Sequence, residues 1–191
     1  MVGPVGILAL QGDFARHRSK FEELGVATRN VRYVGDMTGL SGLVIPGGES
    51  TVMSKRIDAA GLRSALEEFA RTHPVMGTCA GLIMMARDAG DSKVRPLNLL
   101  DITVDRNGWG RQVHSFTTDL TTQLNGTAIS LPAIFIRAPR IIDVGPGIRV
   151  LAEHMGEPVL VQEGLHLASA FHPELTPDMH VHEHFVKVLA A

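Results

Sequence analysis

The chain has 191 residues, 45% hydrophobic and 20% charged, with a formal net charge of −2, a length that suits one globular α/β domain burying roughly 70% of its unfolded surface. A near-neutral balance without any basic cluster argues against nucleic acid or a membrane surface as partner, and no apolar run approaches the ~20 residues of a membrane span. One cysteine closes no internal disulfide, which points to a reducing, cytoplasmic compartment.

The first residues, MVGPVGILALQGD, are apolar but lack a positive leading segment and a small-residue cleavage site, so they read as a buried strand, not a signal peptide. The continuous apolar run at residues 5–10 suits a strand covered on both faces. Asp13 offers a cap for a helix with Phe14, Phe21 and Leu24 near one face, which Gly25 ends. Strands follow at residues 27–33 and 43–45, the second broken by Pro46-Gly47-Gly48. A helical stretch with Leu62, Leu66 and Phe69 on one face runs to His73-Pro74; Val75-Met76 is a short strand, and another helix begins near Leu82. This alternation predicts a three-layer α/β fold of the flavodoxin-like kind, a mostly parallel central sheet with helices on both faces. Beyond about Asp91 the pattern turns to short strand-like runs at residues 100–104, 133–136, 149–151, 159–162 and 166–171. The Thr-rich residues 117–130 read as a loop or an edge strand, and an amphipathic helix packs at residues 184–189. No repeat, low-complexity tract or linker divides residues 1–191, which read as a single domain.

Gly77-Thr78-Cys79-Ala80-Gly81 sets the only cysteine between a strand and a helix, a nucleophile elbow in cysteine form. Such a turn strains its nucleophile, and flanking glycines relieve the crowding. The positive end of a helix starting at Ala80 would favour thiolate, and the Ala80 N–H would donate to an oxyanion. Read alone, a free cysteine packs equally well as a small buried hydrophobe.

A thiolate nucleophile needs a histidine to move protons and a carboxylate to orient it. Phe171-His172-Pro173-Glu174-Leu175 offers both, since an extended backbone would point His172 and Glu174 to one side and Pro173 would stiffen the pair. By itself this segment reads more simply as a turn with a surface histidine and a solvated glutamate. Pro46-Gly47-Gly48-Glu49-Ser50-Thr51 leaves backbone N–H groups free to face an oxyanion or a substrate carboxylate; with no lysine after the second glycine it is not a phosphate loop. It is equally an ordinary tight turn capped by Ser50. Arg106 and Arg137 are candidate partners for a substrate carboxylate. Otherwise Arg106 makes a surface ion pair and Arg137, embedded in an apolar run, an internal salt bridge.

Taken in order, PGGEST, GTCAGL and FHPELT closely resemble the class I (triad) glutamine amidotransferases. LQGD, DRNGWGRQ and FIRAP narrow the resemblance to the glutaminase subunits of pyridoxal 5'-phosphate synthase, the PdxT/SNO family, and it covers essentially the whole chain. The resemblance implies that Cys79 attacks the side-chain amide of L-glutamine, that His172 passes the proton to ammonia while Glu174 orients it, and that a thioester is hydrolysed to glutamate. It implies an oxyanion hole at Gly48 and Ala80, glutamine contacts from Gly47, Gly48, Glu49, Ser50, Arg106, Ile136 and Arg137, and neither cofactor nor metal. It also implies a partner, a (β/α)8-barrel synthase subunit that combines the ammonia with a pentose phosphate and a triose phosphate. That subunit forms a dodecamer carrying up to twelve glutaminases on its outside, and the glutaminase alone is weakly active. Gly108-Trp109-Gly110 departs from the family, where smaller or Phe-like residues are commoner; the departure bears on partner contacts and leaves the triad intact.

The nearest rival class, the DJ-1/PfpI-like thiol hydrolases and stress proteins, shares a cysteine elbow on a similar sheet but generally lacks the downstream His-Pro-Glu and the PGGES turn. A non-enzymatic subunit would be expected to have lost Cys79, His172 or Glu174, and all three are present. A metal site at His180-Val181-His182-Glu183-His184 would use His180 and His184 on one helix face, but the His-Glu-x-x-His order is missing and no cysteine is near. That segment reads as the solvated start of the last helix, and His17, His73, His114, His154 and His166 carry no assigned role.

Overall fold

The computed structural model describes residues 3–106 and 115–190. The first half alternates as its apolar runs predict: β1 (Val5–Leu8), α1 (Phe14–Glu23), β2 (Thr28–Val31), β3 (Gly42–Ile45), α2 (Ser50–Ala59), α3 (Arg63–Ala70), β4 (Val75–Thr78) and α4 (Ala80–Met85). Every residue of β1, β3 and β4 is buried, as continuous apolar strands between two helical layers must be. Two caps differ from expectation. Asp13 occupies the N-cap of α1 without a side-chain cap bond, lying 3.5 Å from Arg16 instead. Glu49, not Ser50, caps α2, its carboxylate accepting from the Thr51 and Val52 N–H groups. Gly61, at φ 65, breaks the helical stretch into α2 and α3.

The second half contains β5 (Ala86–Asp88), β6 (Leu100–Asp105), β7 (Ser115–Leu124), β8 (Thr127–Ile136), β9 (Arg140–Val144), β10 (Arg149–His154), β11 (Glu157–Glu163), β12 (His166–Ser169) and α5 (His180–Leu189). Among the described residues the main sheet has nine strands in the order β2-β1-β3-β4-β12-β11-β10-β7-β8, and β5, β6 and β9 form a small second sheet. The five strands from β2 to β12 are parallel, and from β12 outward the sheet is antiparallel. Strands joined through helices, β1 with β2 and β3 with β4, pair parallel, and strands joined by hairpins, β7 with β8, β10 with β11 and β11 with β12, pair antiparallel, because a hairpin reverses the chain and a helical crossover does not. Residues 117–130 are the edge hairpin of β7 and β8, turned at Asn125 and Gly126 with φ 55 and 81. Positive φ at both positions is what an Asn-Gly hairpin turn requires. Pro132 is tolerated because β8 is an edge strand.

Helices cover both faces of the parallel strands. On one, Phe21 of α1 meets Phe185 of α5 at 6.1 Å between ring centroids, and Phe185 and Leu189 reach Gly42 of β3. On the other, α4 lies so close to β3 that a methyl group on Gly81 would overlap the Ile45 carbonyl oxygen. The parallel strands all end at one edge, so the turn after β3, Cys79 after β4 and the segment after β12 emerge side by side.

Gly81→Ala is expected to cost ~3 kcal/mol, since an overlap with backbone is not relieved by a rotamer change. Gly126→Ala, at a positive φ with open space around it, is expected to cost ~1 kcal/mol from left-handed strain alone. Urea denaturation ranks the two; equal losses would mean that α4 moves off the sheet freely.

Candidate active site

Between β4 and α4, Cys79 has φ 50 and ψ −103, a conformation that costs a non-glycine residue roughly 1–3 kcal/mol and persists only where its surroundings impose it. Its N–H donates to the Ser169 carbonyl of β12 at 2.8 Å. The side chain is buried, with Sγ 3.9 Å from the Ile136 carbonyl oxygen, and it lies with the His172 ring against Gly47.

The His172 N–H donates to the Ile134 carbonyl at 2.9 Å, and Nδ1 donates to Glu174 Oε1 at 2.7 Å. The pair does not meet through an extended backbone. Residues Pro173–Leu175 form a single 3-10 turn, with Pro173 in its first position, and that turn folds the carboxylate back under the ring. Both side chains are buried, so neither the surface histidine nor the solvated glutamate of the simpler reading is present. Burial works against a proton on His172, but the hydrogen bonds and charges of Cys79 and Glu174 outweigh it and push the pKa up to about 10. Burial would likewise raise the Glu174 carboxyl, but the facing His17 and His172 rings hold it below the usual carboxylate range.

Gly47, Gly48, Glu49, Ser50, Arg106, Ile136 and Arg137 join Cys79 and His172 around one cavity of about 470 Å³, and Ala80 adjoins it as the first residue of α4. Gly47 is obligatory: a Cβ there would stand 2.5 Å from His172 Cε1 and 3.6 Å from Cys79 Cβ. Ser50 is buried, and its Oγ has no hydrogen-bond partner among the described residues. Arg106 is ion-paired, 3.1 Å from Glu49 and also bound to Asp91. Arg137 is not internal: it lies exposed at the cavity rim with φ 43, and makes no ion pair among the described residues. The end of β8 has left the sheet's interior by then, so the charge is hydrated. Gly108, Trp109 and Gly110 lie outside the described residues.

Three features escape sequence reasoning. Gln11, within LQGD, clasps the backbone of Glu49, its Nε2 donating to the carbonyl and its Oε1 accepting from the N–H, each at 3.2 Å. His17, without assigned role, is wholly buried behind Glu174; an odd histidine on the apolar side of α1 is its only sequence signal. The His180–His184 segment is not solvated, because α5 starts at His180 and turns Val181, His182, His184 and Phe185 inward. His182 binds His17, His184 binds Asn125 and Gln162, and the half-exposed His180 binds Asp178. Among the described residues no three His, Cys, Asp or Glu side chains converge as metal ligands.

A cysteine on a strained strand-to-helix turn, beside a histidine held by a buried carboxylate at the carboxyl edge of an α/β sheet, is the arrangement of cysteine-dependent hydrolases. Comparisons with known proteins narrow this class. The sequence is 49% identical over 188 residues to pyridoxal 5'-phosphate synthase subunit PdxT of Deinococcus radiodurans, with 95% of each chain covered. It is 44% identical over 188 residues to the subunit of the same name from Oenococcus oeni, covering 98% of this chain and 97% of that one. A crystal structure of a glutamine amidotransferase superposes with a TM-score of 0.92 at 40% identity, over 99% of this chain and 100% of the other. The chain belongs to the SNO glutamine amidotransferase family, which matches residues 7–191.

Because the folded pKa of His172 lies above the 6.5 of a free histidine, its proton stabilises the fold fully below that value, and the contribution disappears as pH rises through about 10. Glu174→Gln, which keeps the shape but removes the charge, is expected to bring the midpoint down toward 6.5 and to move the alkaline loss of stability with it. Titration of the His172 ring by NMR checks this; an unmoved midpoint would show that Glu174 does not hold the proton there.

Proposed function

We propose that this chain is the glutaminase subunit of a pyridoxal 5'-phosphate synthase, hydrolysing L-glutamine to L-glutamate and ammonia through a Cys79–His172–Glu174 triad. The observation that carries the reading is that Cys79, His172 and the Gly47–Ser50 turn share one cavity while Glu174 holds the His172 ring from behind, in a member of a glutamine amidotransferase family. The Cys79 thiolate attacks Cδ of the glutamine side chain, and the oxyanion takes hydrogen bonds from the Gly48 and Ala80 N–H groups. As the C–N bond breaks, the His172 imidazolium gives its Nε2 proton to the departing nitrogen, and ammonia leaves. Water then attacks the thioester carbonyl and yields its proton to His172; the C–S bond breaks, and glutamate and the thiolate are released. Glu174 keeps the Nδ1 proton in place throughout, so that Nε2 faces the sulfur. The α-carboxylate of glutamine faces Arg137 and Arg106, while Glu49, Ser50 and Ile136 complete its contacts.

The names of the relatives support a synthase subunit as partner. That partner is a (β/α)8 barrel, assembled as a dodecamer with up to twelve glutaminases on its outside. It takes the ammonia and joins it to a pentose phosphate and a triose phosphate, in vitamin B6 biosynthesis. Residues 1–191 act as one glutaminase domain in the cytoplasm, without a cofactor. No helix among the described residues is long and apolar enough to cross a membrane.

Glutamate release from L-glutamine is expected to rise when a cognate synthase subunit is added, and to vanish in Cys79→Ala. No release in either setting, together with ready oxidation of Cys79 by peroxide, would instead assign the chain to the thiol-sensor class. Arg137→Ala is expected to raise KM roughly 10-fold or more, the loss of one charge-assisted contact, with the melting temperature unchanged. A fall in melting temperature with KM intact would make Arg137 structural.

A further inference from the structure

Behind the triad, side chains from four separate elements meet out of reach of solvent. His17 of α1 is wholly buried, with Nε2 3.1 Å from Thr78 Oγ1 and 3.5 Å from Glu174 Oε2. Its Nδ1 lies 3.1 Å from Nε2 of His182 on α5, which is also wholly buried and packs edge-on against Phe21. Thr78 immediately precedes Cys79. One ring therefore touches both the strand that carries the cysteine and the carboxylate that orients His172.

The hydrogen-bonding balance assigns the tautomer. Glu174 Oε1 takes the His172 proton, and Oε2 is buried with no hydrogen bond of its own, His17 Nε2 being the donor that faces it. With the proton on Nε2, His17 shares it between Thr78 Oγ1 and Glu174 Oε2, and its Nδ1 accepts from His182 Nε2–H. His182 is then left with a bare Nδ1 lone pair, and that atom has no partner among the described residues. With the proton on Nδ1, His17 Nε2 would accept from the Thr78 hydroxyl, Glu174 Oε2 would face no donor, and His182 would bury an N–H with no acceptor. A buried donor or charged acceptor left unmatched costs more than a bare imine nitrogen. The first arrangement wins.

We infer that His17 is a positioning residue for the glutaminase reaction: as the neutral Nε2–H tautomer, set by His182, it anchors the second oxygen of Glu174 and ties it to the strand bearing Cys79. The inference rests on the triad reading given above. Burial keeps both rings uncharged, lowering the pKa of His17 despite Glu174 and of His182 well below the ordinary value. The ionisable groups around His17 are Glu174, His172 and Asp13, with His182 on the α5 side and Lys20 beyond it, while Cys79 faces His172 from the other side. Without the anchor the carboxylate rotates, its bond to His172 weakens, and the imidazolium gives up its proton at lower pH.

The test uses wild type, His17→Leu and His17→Gln, assayed for glutamate release in complex with the synthase subunit and by NMR titration of His172 in the free chain. The Gln amide places an N–H about where imidazole Nε2 stands; Leu fills space without a donor. His17→Leu is expected to lower kcat roughly 10- to 100-fold with KM within ~2-fold, the loss of the one donor that faces a buried charged oxygen. Its alkaline limb and its His172 midpoint should both fall by ~1 pH unit or more, and Gln should restore both. Equal losses in Leu and Gln, or a His172 midpoint unmoved in Leu, would overturn the inference. If His17→Leu does not fold, His17→Asn, one methylene too short to reach Glu174, carries the same expectation against Gln; if Gln does not fold either, the role is packing and the inference fails. A wild-type complex that released no glutamate would sink the glutaminase reading instead, while the titration would still decide the role of His17.

Discussion

A backbone at φ 50 and ψ −103 relaxes unless its neighbours forbid it, and at Cys79 they do so from two sides. β12 takes the Cys79 N–H through the Ser169 carbonyl, and α4 is pressed onto Ile45 so closely that Gly81 has no room for a methyl group. Strain of this kind survives only where packing over-determines it. Much of the molecule answers to that requirement. β4 needs parallel neighbours on both sides, β3 and β12, and β12 reaches its place only after the chain has built the whole antiparallel extension. The turn after β3 must also pass over His172 and Cys79, which leaves glycine as the one residue that fits at position 47.

Burying the pair of His172 and Glu174 is the second demand. Two charges out of water are stable only when each remaining proton and lone pair finds a partner. His172 meets this with Cys79 on one side and Glu174 on the other. Glu174 bonds His172 through one oxygen and turns the other toward the neutral ring of His17, 3.5 Å away, which α5 holds through His182. The first and last helices thus act on the chemistry without touching the cavity, by fixing the back of a carboxylate whose front fixes the histidine.

The two halves of the sheet divide the work. The parallel half supplies the turn, the elbow and the His-Glu pair at one edge, where the strands' carboxyl ends coincide. The antiparallel half supplies shape. Three strands stand between β12 and β8 in the sheet, yet Ile134 of β8 accepts from the His172 N–H and the Ile136 carbonyl faces the Cys79 sulfur. The extension therefore curls back over the site, and its exit at Arg137, itself at φ 43, sets a cation at the cavity rim.

Much of this was legible in the chain alone. The apolar runs at β1, β3 and β4, the elbow Gly77–Gly81 and the Pro46–Ser50 turn are local patterns, and local patterns follow from propensity and steric exclusion between near neighbours. Order along the chain was enough to attach a chemistry to Cys79, His172 and Glu174. The Asn125-Gly126 turn is equally local, yet residues 117–130 read only as a loop or an edge strand, and β5 and β9 left no signal, because short strands of the second sheet exist only through their pairing. Nor could sequence say that a 3-10 turn, not an extended strand, brings Glu174 under His172, or that Arg137 faces water and not a buried partner. It could not place His17 and His182, 165 positions apart, on one hydrogen-bonded line behind the triad. Those are decisions of tertiary structure, because a buried polar atom takes its meaning from the partner it meets, and the partner is chosen by how distant elements pack.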